Sequence, residues 1–287
     1  VTMLRAGLIQ LNSSDDPVAN LPQTVTYMRG AAKEGATFVL TPEVTNCVSA
    51  SRSRQQQVLH HETDDPTLAA LRREAEDLGV WLLIGSLAVK TDDPDGRFAN
   101  RSFLVSPEGG IVARYDKMHM FDVEISESES YRESAGYRPG RFAVAPRTPF
   151  ARVGMTVCYD LRFPRLYRHL AQAGADILTV PSAFSPVSGA AHWETLLRAR
   201  AIETGCFVLA PAQCGTHDAQ EGKARQTYGH SLAVSPWGEV LADGGDAPGV
   251  VIVDVEMSEV AEARGRIPSL GHDRPIEGPF DDEHVAE

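Results

Sequence analysis

The sharpest chemical signal in this sequence is the stretch Val153-Gly154-Met155-Thr156-Val157-Cys158-Tyr159-Asp160-Leu161-Arg162-Phe163-Pro164. An apolar strand pattern runs straight into Cys158, and Pro164 suits the first turn of a helix that begins a few residues later. A thiol at a strand-to-helix turn is held at the tip of an element, where nearby backbone N–H groups can bind a developing oxyanion. A buried cysteine that merely closes a strand would show the same local pattern. Two more segments end strands on ionisable side chains, Phe38-Val39-Leu40-Thr41-Pro42-Glu43 and Arg114-Tyr115-Asp116-Lys117-Met118-His119. Taken singly, each reads equally well as a solvated charge at a strand end. Together with Cys158 they place a carboxylate, an ammonium and a thiol at the ends of three strands.

Alternating strand and helix patterns position these ends. Strands are predicted over Leu4–Leu11, Phe38–Leu40, Val80–Val89, Arg97–Val105, Ile111–Tyr115, Ala151–Val157, Ile177–Val180 and Cys206–Ala210. Three more follow over Ser231–Ser235, Glu239–Ala242 and Val250–Val255. Helices are predicted over Val18–Glu34, Pro66–Leu78 with Gly79 as its stop, Pro164–Ala173, Ala190–Glu203 and Ser258–Arg264. Strands mixed with helices at regular intervals indicate a layered α/β or α+β domain, with two sheets and helices outside. No repeat, low-complexity tract or long linker divides the 287 residues, so one domain is predicted. Glu124–Ser130 is acidic and reads as a mobile loop.

Composition removes several function classes. With 27 basic against 39 acidic residues the net charge is -12, which repels phosphate backbones and anionic membranes, and aromatics are sparse at 7%. Neither a nucleic-acid nor a membrane partner is expected. No apolar run approaches the roughly 18 residues that cross a bilayer, and the first residues read as a strand, not a signal peptide. Cys47, Cys158, Cys206 and Cys214 show no C-x-x-C spacing, so a reducing cytoplasm with free thiols is expected, with Cys47, Cys206 and Cys214 structural. The nine histidines show no metal-binding pattern, and Gly109-Gly110 and Gly244-Gly245 read as turns. Neither a metal nor a cofactor is expected.

The three segments, in this order and spacing, resemble the nitrilase superfamily of carbon–nitrogen hydrolases over about residues 3–255. Within it the chain is most similar to the deaminated glutathione amidases and the related ω-amidases. The likeness rests on Arg132-Glu133-Ser134, Pro139-Gly140, Cys158 to Pro164, Ala171-Gln172-Ala173-Gly174-Ala175 and Pro181-Ser182-Ala183-Phe184. It continues through Ala191-His192-Trp193-Glu194, Leu197 to Glu203, Tyr228-Gly229-His230-Ser231 and Pro236-Trp237-Gly238. The resemblance implies a four-layer α–β–β–α sandwich, with residues 1–257 as the hydrolase domain and 258–287 as a helix and tail packing on it or on a partner subunit. It also implies a homodimer or higher homo-oligomer, paired through the helical layer.

By the same resemblance, Cys158 attacks an amide carbonyl and passes through a thioester, and Glu43 serves as general base. Burial should raise the pKa of Glu43 for that role. Lys117 and the Tyr159 N–H are the implied oxyanion donors, and Glu133 positions Lys117 and substrate. A Glu–Lys–Glu arrangement keeps the lysine charged and moderates repulsion between the carboxylates. Arg162 is the cation expected to pair with a substrate carboxylate, or else it pairs structurally with Asp160 or another acid. Ser182, Ala183 and Phe184 match a pocket-lining segment, and His119 and His192 either line the pocket or are satisfied structural groups. The implied substrate is a small acidic amide, deaminated glutathione first, then α-ketoglutaramate. An N-carbamoyl amine, a nitrile and a catalytically idle scaffold are the alternatives.

Overall fold

The computed structural model describes residues 3–126 and 129–279. In chain order the first strands are β1 (Met3–Gln10), β2 (Phe38–Leu40), β3 (Trp81–Val89), β4 (Ala99–Val105) and β5 (Ile111–Asp116). A hairpin follows, β6 (Asp122–Ser126) and β7 (Glu129–Arg132). The second half holds β8 (Val153–Met155), β9 (Ile177–Thr179), β10 (Phe207–Ala210), β11 (Cys214–Thr216), β12 (Gln226–Tyr228), β13 (Leu232–Val234), β14 (Val240–Asp243) and β15 (Gly249–Glu256). The helices are α1 (Pro17–Lys33), α2 (Arg52–Val58), α3 (Pro66–Leu78), α4 (Pro164–Gln172), α5 (Pro186–Thr204) and α6 (Ser258–Arg266).

Beside the two-stranded pairs β6-β7 and β11-β12, two main sheets form, one of order β15-β1-β2-β3-β4-β5 and one of order β14-β13-β10-β9-β8. Period-two alternation of apolar residues explains their stacking. In β1 Leu4, Ala6 and Leu8 face the core shared with the second sheet, whose Val153, Met155, Ile177 and Val208 belong to the same cluster. On the opposite face of the first sheet Ile9, Val39, Leu82 and Ile84 pack with Met28 of α1 and Leu71 and Ala75 of α3. Both faces of β1 to β3 are therefore buried, which is why these strands read as continuous apolar runs. Helices α4 and α5 cover the outer face of the second sheet through Leu166, Leu170, Trp193, Leu197 and Ala201. Helix, sheet, sheet and helix form the expected four layers.

Caps fix the helix ends. Asp16 accepts from the N–H groups of Val18 and Ala19 at the start of α1, and Asp65 accepts from the Leu68 N–H at 2.7 Å to start α3. Gly79 closes α3 in the left-handed region at φ 65°. Three elements were absent from the sequence reading: α2, the β6–β7 hairpin and the β11–β12 pair. Most of Glu124–Ser130 belongs to the hairpin rather than to a loop, with Glu127 and Ser128 lying outside the described residues. At the end of the chain Val260 of α6 is buried in the core, and Asp273 accepts from Arg168 and Gln172 of α4. The last eight residues of the tail, 280–287, lie outside the described residues.

Candidate active site

Each of the three strand ends is tied down by close backbone approach. Beyond β2, the Thr41 hydroxyl accepts from the Gly85 N–H at 3.0 Å, and the Val44 N–H donates to Ser86 Oγ at 2.8 Å. A Cβ at Gly85 would overlap the carbonyl oxygens of Thr41 and Pro42, so only glycine lets β3 approach this segment. Beyond β5, the Lys117 N–H donates to the Asn100 carbonyl at 2.9 Å and its carbonyl accepts from the Gly140 N–H at 2.8 Å. Beyond β8, the Cys158 N–H donates to the Pro181 carbonyl at 2.9 Å.

Cys158 has φ 48°, an unfavourable conformation for a side chain-bearing residue. The surroundings hold it there. Asp160, fully buried, accepts from the Val157 N–H at 2.9 Å, the Tyr115 hydroxyl at 2.6 Å and the His119 N–H at 3.1 Å. This carboxylate braces the turn against the strand end that carries Lys117. The Tyr159 N–H makes no hydrogen bond to the chain among the described residues, which leaves it available to a ligand oxygen.

At the centre Lys117 Nζ lies 2.9 Å from Glu43 Oε1 and 2.8 Å from Glu133 Oε2. Asn100 Nδ2 donates to Glu43 Oε1 at 2.8 Å, the Ala183 N–H to Glu43 Oε2 at 2.9 Å, and the Phe121 N–H to Glu133 Oε2 at 2.6 Å. Burial by itself pushes Glu43 upward, but the charge and hydrogen bond of Lys117 outweigh it and hold the carboxyl below its ordinary value. The sequence had suggested a raised Glu43; the adjacent ammonium reverses that direction. Burial opposes the charge on Lys117, yet Glu133 and Glu43 keep it protonated well above its usual value. For Cys158, burial and then the Glu43 carboxylate raise the thiol against the pull of Lys117. These directions favour a thiol, a carboxylate and an ammonium in the free site. Such a set can transfer the thiol proton to Glu43 as a carbonyl carbon is attacked, with the new oxyanion beside Lys117.

These groups open into a cavity of about 840 Å³, a size suited to a small organic ligand. Glu43, Lys117, Glu133, Cys158, Tyr159, Ala183 and Phe184 all line it. Four other residues singled out from the sequence do not. Ser182 is fully buried, its hydroxyl donating to the Val180 carbonyl at 3.0 Å. His119 stacks on Phe163 with ring centroids 3.6 Å apart and holds Asp160 through Nδ1 at 2.7 Å. His192 is exposed on α5, and Arg162 lies 3.2 Å from its Nδ1 with its guanidinium over the Phe184 ring. Arg162 makes no ion pair with Asp160, whose oxygens are occupied by the groups above. Cys47, read as structural, is buried and lines the cavity.

Sequence reasoning missed Asn100 and Arg225, both in the cavity wall. Asn100 stands beside Arg101 and Ser102 in the polar first half of β4, so no sequence signal singled it out. Arg225 lies in an irregular segment just before β12, where no pattern marks it. Among the described residues no group of three or more His, Cys, Asp or Glu side chains is arranged to hold a metal ion.

Comparison with known proteins agrees with this geometry. The carbon-nitrogen hydrolase family model matches residues 5–265. A protein of Yersinia enterocolitica called deaminated glutathione amidase is 40% identical over 269 residues, covering 93% of this chain and 92% of its own. The solved NitFhit protein of C. elegans superposes with a TM-score of 0.86 at 32% identity, over 95% of this chain and 65% of that longer one. An amidase from Nesterenkonia sp. AN1, solved with acrylamide added to its active-site cysteine, gives a TM-score of 0.74 at 25% identity over 93% of this chain and 98% of that one. With its fold, its strand-end chemistry and the span of these matches in agreement, this chain belongs to the carbon–nitrogen hydrolase family.

Proposed function

We propose that this amidase cleaves the ω-amide bond of a small 2-oxo acid, with deaminated glutathione as its substrate and removal of a misformed metabolite as its role. The observation that carries the catalytic assignment is Cys158 at φ 48°, beside Glu43 and Lys117 on the wall of one cavity. Cys158 attacks the amide carbonyl while Glu43 takes its proton. Lys117 and the Tyr159 N–H stabilise the oxyanion, and Glu43 returns the proton to the departing amine. A thioester remains. Glu43 then activates water against it, and the acid is released. Glu133 keeps Lys117 in place through contacts of 2.9 and 2.8 Å. The substrate assignment is supported by the relative from Yersinia enterocolitica and by another from Homo sapiens, 38% identical over 276 residues, that carries the same description.

Exposed Val187, Ile202, Trp237 and Ile267 support a homo-oligomer. The four cysteines, all free, support a reducing cytoplasm. No helix among the described residues is long and apolar enough to cross a membrane. Amine or ammonia release from deaminated glutathione, α-ketoglutaramate, an N-carbamoyl amino acid and an aliphatic nitrile tests the function. Highest kcat/KM on deaminated glutathione, abolished by Cys158→Ala, is the predicted result. A preference for another compound reassigns the substrate, and silence across the panel contradicts the enzyme.

A further inference from the structure

An acidic substrate needs a cation to receive it, because the chain's net charge of -12 supplies no attraction of its own. Lys117 is committed to two carboxylates, Lys223 lines the cavity but is exposed to solvent, and Arg162 lies outside the cavity lining. Three arginines line the cavity, Arg52, Arg132 and Arg225. Arg52 donates to the carbonyls of Ala135 and Asp95, and Arg132 approaches Glu124 at 3.9 Å on the exposed surface.

Arg225 is different. Among the described residues no carboxylate lies within 4 Å of its guanidinium, and its one hydrogen bond is a long one, Nη2 to the Ala183 carbonyl at 3.4 Å. Its Nε is buried and has no partner. Three other partly buried arginines are well paired: Arg101 with Asp116 and Glu62, Arg138 with Asp93 and Asp116, Arg200 with Glu203 and the Leu161 carbonyl. Arg152 also has a buried Nε without a partner, but it lies away from the cavity and donates to the Ala173 carbonyl. A partly desolvated guanidinium without a counter-charge is unfavourable unless a ligand supplies one. The group is nevertheless held in position. Tyr131 of β7 presents its ring 5.7 Å from the guanidinium carbon, a contact that uses the cation's face and none of its in-plane donors.

We propose that Arg225 selects the substrate by binding a carboxylate on its acyl half, an inference that rests on the amidase reading above. The acyl half is favoured over the leaving amine by proximity to the reacting centre. Ala183 accepts from Arg225 through its carbonyl and donates to Glu43 through its N–H, so one residue joins the cation to the general base. Arg225 is also close enough for its charge to pull on the Glu43 carboxyl. In a five-carbon 2-oxo-ω-amide the carboxylate stands four C–C bonds from the amide carbon, roughly 5 Å when extended. A carboxylate at the far end of a dipeptide leaving group lies roughly 8 Å away on the other side. The planar fork of an arginine suits the bidentate grip that a carboxylate offers.

The test uses two readouts on wild type, Arg225→Gln, Arg225→Lys and Arg162→Gln. Calorimetric titration with 2-oxoglutarate, the acid freed from such an amide, measures carboxylate binding without turnover. The ratio of kcat/KM for α-ketoglutaramate to that for pentanamide measures selectivity. Arg225→Gln should weaken 2-oxoglutarate at least about 30-fold and lower the ratio about 100-fold, with Arg225→Lys between it and wild type. The lysine variant also separates loss of charge from loss of fold. Equal losses on both amides, an unchanged affinity, or no 2-oxoglutarate binding by wild type would overturn the proposal. Collapse of the ratio in Arg162→Gln alone would overturn it too and place the carboxylate at Arg162. Should wild type bind 2-oxoglutarate through Arg225 yet release no amine from any ω-amide, the proposed function fails and with it the role in substrate selection, while the carboxylate site at Arg225 remains.

Discussion

Replacing Lys117 by methionine removes the ammonium between two carboxylates whose side chains are 6% and 13% exposed. The loss is more than a missing attraction. Glu43 and Glu133 both contact the same ammonium, so without it two like charges face each other in a largely dry site. Breaking a buried pair by removing one partner costs about 3–5 kcal/mol. For a chain of this length, unfolding entropy near about 0.6 kcal/mol per degree converts that into a fall in Tm of about 5–8 °C. The fall depends on pH with a definite sign. In wild type the Glu43 carboxyl sits below its ordinary 4.5, so its contribution is complete above pH 4.5 and is lost as pH falls through the lowered value. Lys117, raised above 10.5, keeps its contribution throughout the neutral range and loses it only as pH rises through its raised value. In Lys117→Met the remaining carboxyls resist sharing two negative charges, and one takes up a proton at a higher pH than usual. Between pH 8 and pH 5 the wild-type cluster keeps its full contribution while the variant is relieved by protonation, so the difference in Tm should shrink toward pH 5. Calorimetric unfolding of both proteins across that range measures it. A difference that stays constant, or widens toward acid, refutes the assignment of a coupled Glu–Lys–Glu cluster.

Other predictions follow from the same contacts. Glu43→Gln removes the proposed general base and should lower kcat by about 10²–10⁴-fold, yet it also removes the carboxylate that raises the Cys158 thiol. Alkylation of Cys158 by iodoacetamide at pH 8 should therefore speed up as amide hydrolysis slows, and parallel declines would contradict the charge argument. Gly85→Ala drives a Cβ into the carbonyl oxygens of Thr41 and Pro42 and must displace the segment bearing Glu43. Loss of kcat, together with a denaturant midpoint lowered by about 1–3 kcal/mol of stability, is expected; wild-type kcat would show that this approach is not required.

Much of this architecture was legible because it rests on periodicity and on end signals. Pro66 to Leu78 with Gly79 behind it gave helix α3 with both boundaries, since a proline start, an apolar stripe and a left-handed glycine agree. The apolar runs of β1 to β3 announced strands buried on both faces. Elements whose burial is decided by tertiary partners stayed hidden. Helix α2, Arg52 to Val58, is polar nearly all round, and the β6–β7 hairpin carries only Val123, Ile125 and Tyr131 as apolar residues amid an acidic run. Helix α5 begins at Pro186, upstream of the predicted start, because Gly189 is accommodated against Tyr228, whose ring occupies the space a side chain would need.

At the site, Glu43, Lys117 and Cys158 stood at strand ends and could be found by position, while their mutual contact came from the resemblance and then from the coordinates. Arg162 drew attention by lying four residues from Cys158, but the turn that follows carries it to His192 and away from the cavity lining. Arg225, 67 positions beyond Cys158 in an irregular segment, reaches the cavity only through folding of the second half.

The central claim is that Cys158 carries the acyl group, and mass spectrometry of the enzyme quenched during turnover of deaminated glutathione tests it most directly. The account predicts an adduct with the mass of the acyl half on the peptide containing Cys158, cleaved by hydroxylamine and absent from Cys158→Ala. Turnover sustained by Cys158→Ala, or an acyl group carried on any other residue, would contradict it.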